Sequence, residues 1–119
     1  MKEFEYKKHP FENRKEESTK MLLKYPNSIC VIIEKSTGDK SIADIDKHKY
    51  LVPKELTVGQ LLFVIRKRIH LSPEQAIFFY INHTLPSSSV TLESLYATHR
   101  DEDGFLYIRY TGENTFGYF

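Results

Sequence analysis

The run Ser28-Ile-Cys-Val-Ile-Ile-Glu-Lys35 restricts what this chain can become more than any other segment. A strand with one wet face alternates apolar and polar residues, whereas an unbroken β-branched run belongs to a strand covered on both faces, near the middle of a sheet. Ser36-Thr37-Gly38-Asp39 supplies turn chemistry at its end. The partner strand is expected over Lys49 to Pro53, where Tyr50 and Val52 point to one face and Lys49 and Leu51 to the other.

The remaining segments must cover that sheet. Pro10 suits the first turn of a helix that stops before Pro26, and Phe11, Ser18, Met21, Leu22 and Tyr25 form only a thin apolar stripe on it. This helix is therefore expected on the outside of the core, with a short helical piece over Lys2 to Lys8 ahead of it. Thr57-Val-Gly-Gln60 reads as a capping box that opens a second helix with Leu61, Leu62, Val64, Ile65 and Ile69 on its apolar face. Arg66, Lys67 and Arg68 fall in its last turns, where positive charge complements the helix dipole; that reading is preferred to a nucleic-acid patch. A strand through Ile77 to Ile81, a short helix from Thr91 to Thr98 and a last strand from Phe105 to Tyr110 complete the order.

Helix, strand, strand, helix, strand, helix, strand is neither doubly wound nor all-β, and it fits an α+β fold. A hairpin, a helix crossing one face, and two further strands make the ubiquitin-like β-grasp, here with two additional N-terminal helices. The expected division is a helical extension over residues 1–26, a β-grasp core over 27–111 and a tail over 112–119. In a grasp the final strand lies in the middle of the sheet and projects the tail outward. Gly112, Glu113 and Asn114 are poor strand formers, so Phe116-Gly117-Tyr118 is expected to be an accessible arm. Without a Cβ, Gly117 suits a narrow enzyme channel, and freed of Tyr118 and Phe119 its carboxylate is unhindered for acyl transfer. Taken alone, a glycine near a terminus reads as a frayed end that happens to contain one.

Composition excludes several function classes. The 119 residues carry a net charge of only +1, which argues against a strongly basic nucleic-acid binder, so no nucleic acid is expected as partner. The single Cys30 rules out an internal disulfide, and the five histidines show no Cys/His pair at metal-ligand spacing, so no metal site is expected. No apolar run reaches the ~18 residues of a membrane span, and a reducing cell interior is the expected home. Neither a nucleophile with its base nor a phosphate-cradling glycine loop emerges, so the chain is read as a non-enzyme with no catalytic residues. Cys30 reads as a small buried hydrophobe.

Several motifs are specific enough to carry a resemblance. They are Tyr6-Lys-Lys-His-Pro-Phe11, Val31-Ile-Ile-Glu-Lys35, Asp46-Lys-His-Lys-Tyr-Leu-Val-Pro53, Leu56-Thr-Val-Gly-Gln60, Ile65-Arg-Lys-Arg-Ile69, Asp103-Gly-Phe-Leu-Tyr107 and Gly112-Glu-Asn-Thr-Phe-Gly117. In this order, over nearly its whole length, the chain resembles the autophagy ubiquitin-like modifiers, the family of GABA-receptor-associated protein and microtubule-associated-protein light chain. The resemblance implies that a processing cysteine protease cuts between Gly117 and Tyr118, with Phe116 a recognition residue beside the cut. Activating and conjugating enzymes would then carry Gly117 as thioesters to the amine of phosphatidylethanolamine. That lipid is the only covalent group implied, with no cofactor. Two acyl chains at ~0.8 kcal/mol per CH₂ would anchor a chain that has no span of its own. The implied location is cytoplasmic when unconjugated, and autophagosome and vacuolar or lysosomal membrane when lipidated.

The second implied activity is docking of receptor motifs of the form aromatic-x-x-aliphatic as an added strand on a sheet edge. Backbone hydrogen bonds at roughly 1 kcal/mol each and two anchors at roughly 1.5–3 kcal/mol each, less the ordering cost, give modest affinity. The resemblance implies an aromatic pocket of Glu17, Met21, Cys30, Lys49, Leu51 and Phe105 and an aliphatic pocket of Tyr50, Val52, Pro53, Leu56, Leu61 and Val64. Lys47, His48 and Arg68 would face acidic residues flanking the motif. Without the resemblance, Leu56, Leu61 and Val64 would read simply as core. The chain departs from the usual family pattern at Ser28, Cys30, His48 and Leu61, and its turn from Ser36 to Ser41 is one residue longer. The resemblance leaves open whether the N-terminal helices meet microtubules or a membrane. The competing reading is a non-conjugated β-grasp adaptor with an inert tail.

Overall fold

The structure, a computed structural model, describes residues 2–112. Phe116, Gly117 and Tyr118, and with them the implied processing site, lie outside the described residues. Four strands, β1 (Ser28–Lys35), β2 (Lys49–Pro53), β3 (Phe78–Tyr80) and β4 (Leu106–Thr111), form one sheet in the order β2-β1-β4-β3. β1 pairs antiparallel with β2, from Ser28↔Pro53 to Ile32↔Lys49, and parallel with β4, from Val31↔Leu106 to Lys35↔Tyr110. The two internal strands are buried on both faces, which accounts for the unbroken apolar run of β1. β4 lies in the middle, as a grasp requires.

Strand alternation sorts the interior into two clusters. Ile29, Val31 and Ile33 of β1 and Leu106, Ile108 and Tyr110 of β4 face one side, packed with Leu61 and Ile65 of α2 (Val58–Ile69) and Leu92 and Leu95 of α3 (Leu92–His99). Cys30, Ile32, Phe105 and Tyr107 face the other side, under Phe4, Tyr6, Met21, Leu22 and Leu51. There the cover is a 3₁₀ turn, Glu5–Lys8, and α1 (Phe11–Lys24). The capping box of α2 forms as its sequence foretells: Gln60 N–H donates to Thr57 Oγ1 (3.2 Å) and Thr57 N–H to Gln60 Oε1 (2.9 Å).

Some expectations are corrected. β3 is limited to Phe78–Tyr80, because Ile81 already pairs with Thr84 across a tight turn with Asn82 and His83 at positive φ. β4 begins at Leu106 and not at Phe105, whose N–H is taken by Asp103 Oδ1 (2.9 Å) and whose carbonyl accepts from Asp101 N–H (2.8 Å). Phe11 and Tyr25 do not join the buried stripe of α1; they flank its ends at 42% and 44% exposure, and Ser18 is the buried residue of that helix. Ser18 approaches the chain so closely that a Cβ on Gly104, whose φ is +89°, would lie 2.3 Å from its Oγ. Its hydroxyl donates to the Asp103 carbonyl at 2.5 Å, fastening α1 over the start of β4.

Candidate functional site

Among the described residues β2 is an edge strand, bonded within the sheet to β1 alone. Its side chains alternate across the sheet, so the two implied pockets fall on opposite faces. Leu51 packs against the Cys30 and Phe105 cluster, while Tyr50 and Val52 belong to the cluster under α2.

On the N-terminal face, α1 brings Glu17 and Met21 to Lys49 and Leu51. Lys49 Nζ is ion-paired with the Glu17 carboxylate, and Met21 Sδ lies 3.9 Å from Cys30 Sγ. The six implied aromatic-pocket residues are thus brought together, in two layers. Cys30 and Phe105 have no exposed surface and form a floor, whereas Glu17, Met21, Lys49 and Leu51 are half-buried and form a rim. The sequence reading missed Tyr6, which stands in the middle of this set. Its ring meets Phe105 edge-on at 5.0 Å between centroids, its hydroxyl donates to Glu17, and Lys49 Nζ lies 5.7 Å from its ring centre. Its Tyr-Lys-Lys context gave no local sign of a contact with residues 11 and 99 positions away.

Burial and mutual hydrogen bonds shift the ionisable groups of this set. Burial raises the Glu17 carboxyl pKa, but hydrogen bonds from Lys49 and Tyr6 outweigh it and hold the group below the usual carboxylate range. Burial, reinforced by Glu17, pushes the Tyr6 hydroxyl up, so it stays a donor. Burial and then the Glu17 charge push the Cys30 thiol to about 11, which leaves it protonated and unreactive at neutral pH.

On the opposite face the implied aliphatic set divides. Tyr50, Val52 and Leu61 are buried, Leu61 completely, so Leu61 packs as core; Leu56 is half-buried, and Pro53 and Val64 are exposed. Phe63, which the sequence reading passed over, is 58% exposed beside Val64, with Lys67 Nζ 4.6 Å from its ring centre. Tyr50 is fixed by a 2.6 Å bond from its hydroxyl to the Lys47 carbonyl, and burial raises its pKa to about 12.

The cationic rim is partly engaged. Arg68 makes a two-point contact with Asp46, Nε to Oδ1 at 2.8 Å and Nη2 to Oδ2 at 3.3 Å, so an incoming carboxylate must compete with Asp46. His48 Nδ1 is 3.0 Å from the Ile33 carbonyl, which can only accept, so Nδ1 carries a proton. Lys47 Nζ lies 5.2 Å from the centre of the Tyr50 ring. Among the described residues no helix is long and apolar enough to cross a membrane, and no three His, Cys, Asp or Glu side chains are grouped to hold a metal ion.

An extended peptide added to β2 would direct side chains at i and i+3 to opposite faces, because strand side chains alternate with period 2. Those are the faces on which the two residue sets lie.

Comparison with known proteins places the chain among close relatives. A family model described as autophagy protein Atg8, ubiquitin-like, matches residues 13–117. Autophagy-related protein 8 of Emericella nidulans is 57% identical over 109 residues, covering 92% of each chain. The protein of that name from Colletotrichum lindemuthianum is 57% identical over 111 residues, covering 93% of this chain and 91% of the relative. In three dimensions, Trypanosoma brucei ATG8 superposes with a TM-score of 0.89 at 42% identity, covering 94% of this chain and 97% of the other.

Proposed function

The chain belongs to the Atg8 family of ubiquitin-like autophagy proteins, and from that premise we propose that it is a conjugated modifier whose β2 edge docks receptor peptides and whose tail is cut after Gly117. As a ubiquitin-like modifier it works with the autophagy machinery and associates with autophagosomes. It is a substrate of processing, activating and conjugating enzymes and performs no catalysis itself. Hydrolysis after Gly117 releases Tyr118-Phe119; a nucleoside triphosphate then converts the new carboxylate to an acyl-nucleotide with loss of pyrophosphate, and an enzyme thiol displaces the nucleoside monophosphate to give the thioester. Attack by the amine of phosphatidylethanolamine then forms the amide and releases the enzyme thiol. The unconjugated form is cytoplasmic on this reading, and the lipid supplies the anchor that the described helices do not.

The observation that carries the docking half is the position of β2: an edge strand whose alternate residues lead to two apolar clusters on opposite faces. Receptor segments with an aromatic residue three positions before an aliphatic one match that alternation. Lys47, His48 and Arg68 are the cations that acidic flanking residues would meet. Intact mass tests the processing half. In a cell extract that processes another family member, the chain should lose Tyr118 and Phe119 alone, and Gly117→Ala should block the loss. An unchanged chain in that extract would favour the non-conjugated adaptor.

A further inference from the structure

Thr111 and Gly112, the last two described residues, are held by the loop that joins β1 to β2. One Asp39 oxygen, Oδ2, accepts the Thr111 hydroxyl and the Gly112 N–H, the latter at 2.9 Å. The other, Oδ1, accepts the Ser41 N–H at 2.8 Å and the Ser41 hydroxyl at 2.6 Å. Immediately upstream, the Tyr110 carbonyl accepts the Ser36 N–H at 2.8 Å. Burial alone would raise the Asp39 pKa, but the bonds from Ser41, Thr111 and Gly112 outweigh it and hold it at about 2, so the acceptor stays ionised.

Gly112 is closely fitted as well. A Cβ there would lie 2.5 Å from Ser41 Oγ, 3.0 Å from Gln75 Nε2 and 3.2 Å from Ile42 Cβ. Gly112 therefore sits in a gap between the β1–β2 loop and the segment before β3, and only a residue without a side chain fits there without displacing one of them.

We propose that Asp39 is a positioning residue for tail processing, clasping Thr111 and Gly112 so that the tail departs from a fixed point. The proposal rests on the reading that the tail is cut after Gly117. From Gly112 to Gly117 is five residues, about 17 Å if fully extended, and the clasp defines that span for an enzyme seated on the fold. Without the clasp, Thr111 and Gly112 are themselves no longer held and must be ordered at each encounter. That weakens productive binding and leaves the chemistry at Gly117 unaltered.

The test uses the full chain and the purified tail-processing cysteine protease of a family member, with cleavage followed by intact mass. Asp39→Ala should raise KM about three- to tenfold at unchanged kcat. Gly112→Ala should do the same by crowding Ser41, and the double variant should be no worse than either alone, because both remove one contact. Asp39→Asn, whose amide oxygen can still accept from Thr111 and Gly112, should recover most of the loss. A wild-type KM in both single variants, additive effects, or a fall in kcat at constant KM would overturn the clasp. If the wild-type chain is not cut after Gly117, the underlying reading falls and takes the proposal with it; if it is cut and the variants behave like it, the clasp alone falls.

Discussion

The two faces of the sheet are built on different terms. Towards α2 and α3, β1 and β4 present Ile29, Val31, Ile33, Leu106, Ile108 and Tyr110, an apolar surface packed mainly by aliphatic side chains. Towards the N-terminal segments the alternate residues grade from apolar to charged: Cys30, Ile32 and Glu34 on β1, and Phe105 just before β4 followed by Tyr107 and Arg109 on it. That face is closed by polar contacts. Glu34 accepts the N–H groups of Glu5 (2.8 Å) and Tyr6 (3.0 Å), Arg14 Nη1 meets Asp103 Oδ2 at 2.5 Å, and Lys7 Nζ meets Asp101 at 2.7 Å. Asp103, with no exposed side-chain surface, also accepts from the Tyr107 hydroxyl at 2.5 Å. One side of the sheet thus depends on area removed from water, and the other adds to its apolar cluster charges that must be present and paired.

This contrast can be broken in graded ways. The largest effect is expected from Ile65→Ala, which empties a fully buried position of the aliphatic face and should cost about 4 kcal/mol. Urea unfolding should show a lower midpoint with little dependence on salt; a cost under about 1 kcal/mol would mean that this face is not the main source of stability. Arg14→Ala should cost about 3 kcal/mol, because it strands the buried Asp103 carboxylate. Hydrogen exchange should then rise first over residues 5–24, before β1 and β4 lose protection. Uniform loss across the chain would show instead that the two faces form one cooperative unit.

A smaller effect should follow acidification. Glu17 and Asp101 are buried in part, which raises their pKa values, yet bonds from Lys49 and Tyr6 to the first and from Lys7 to the second bring both below normal. Their folded pKa values are depressed, so the stability they contribute is present above the unfolded values near 4 and is lost as pH falls below them. These pairs are partly exposed, and the combined change should be about 1 kcal/mol, seen as loosening of residues 5–24 between about pH 5 and pH 3. Equal protection of that segment at both pH values would remove the polar account of the N-terminal face.

The difference between the faces also explains what could be read from sequence. β1, β2 and the start of α2 are set by neighbouring residues, through an unbroken β-branched run, an alternating partner and a capping box, and their limits were legible. The polar latches were not, because Arg14 and Asp103 lie 89 positions apart and nothing beside either one names the other. The site shows the same split. Cys30, Lys49, Leu51 and Phe105 came from the resemblance, but Tyr6 enters only when the chain folds its first turn over Phe105. At about 100° per residue, Val58, Leu61, Leu62, Ile65 and Ile69 share one arc of α2 and Val64 falls well off it, so periodicity could have separated core Leu61 from exposed Val64.

β2 is where the two faces meet. The direct test is to titrate the isotopically labelled chain with a peptide carrying an aromatic-x-x-aliphatic motif and to follow backbone amide shifts. The expected result is a set of shifts along Lys49 to Val52, accompanied by changes at Cys30 and Phe105 on one face and at Leu56 and Val64 on the other, with Leu51→Ala weakening binding about tenfold. Shifts confined to the opposite edge of the sheet, at Phe78 to Tyr80, with affinity unchanged by Leu51→Ala, would contradict it.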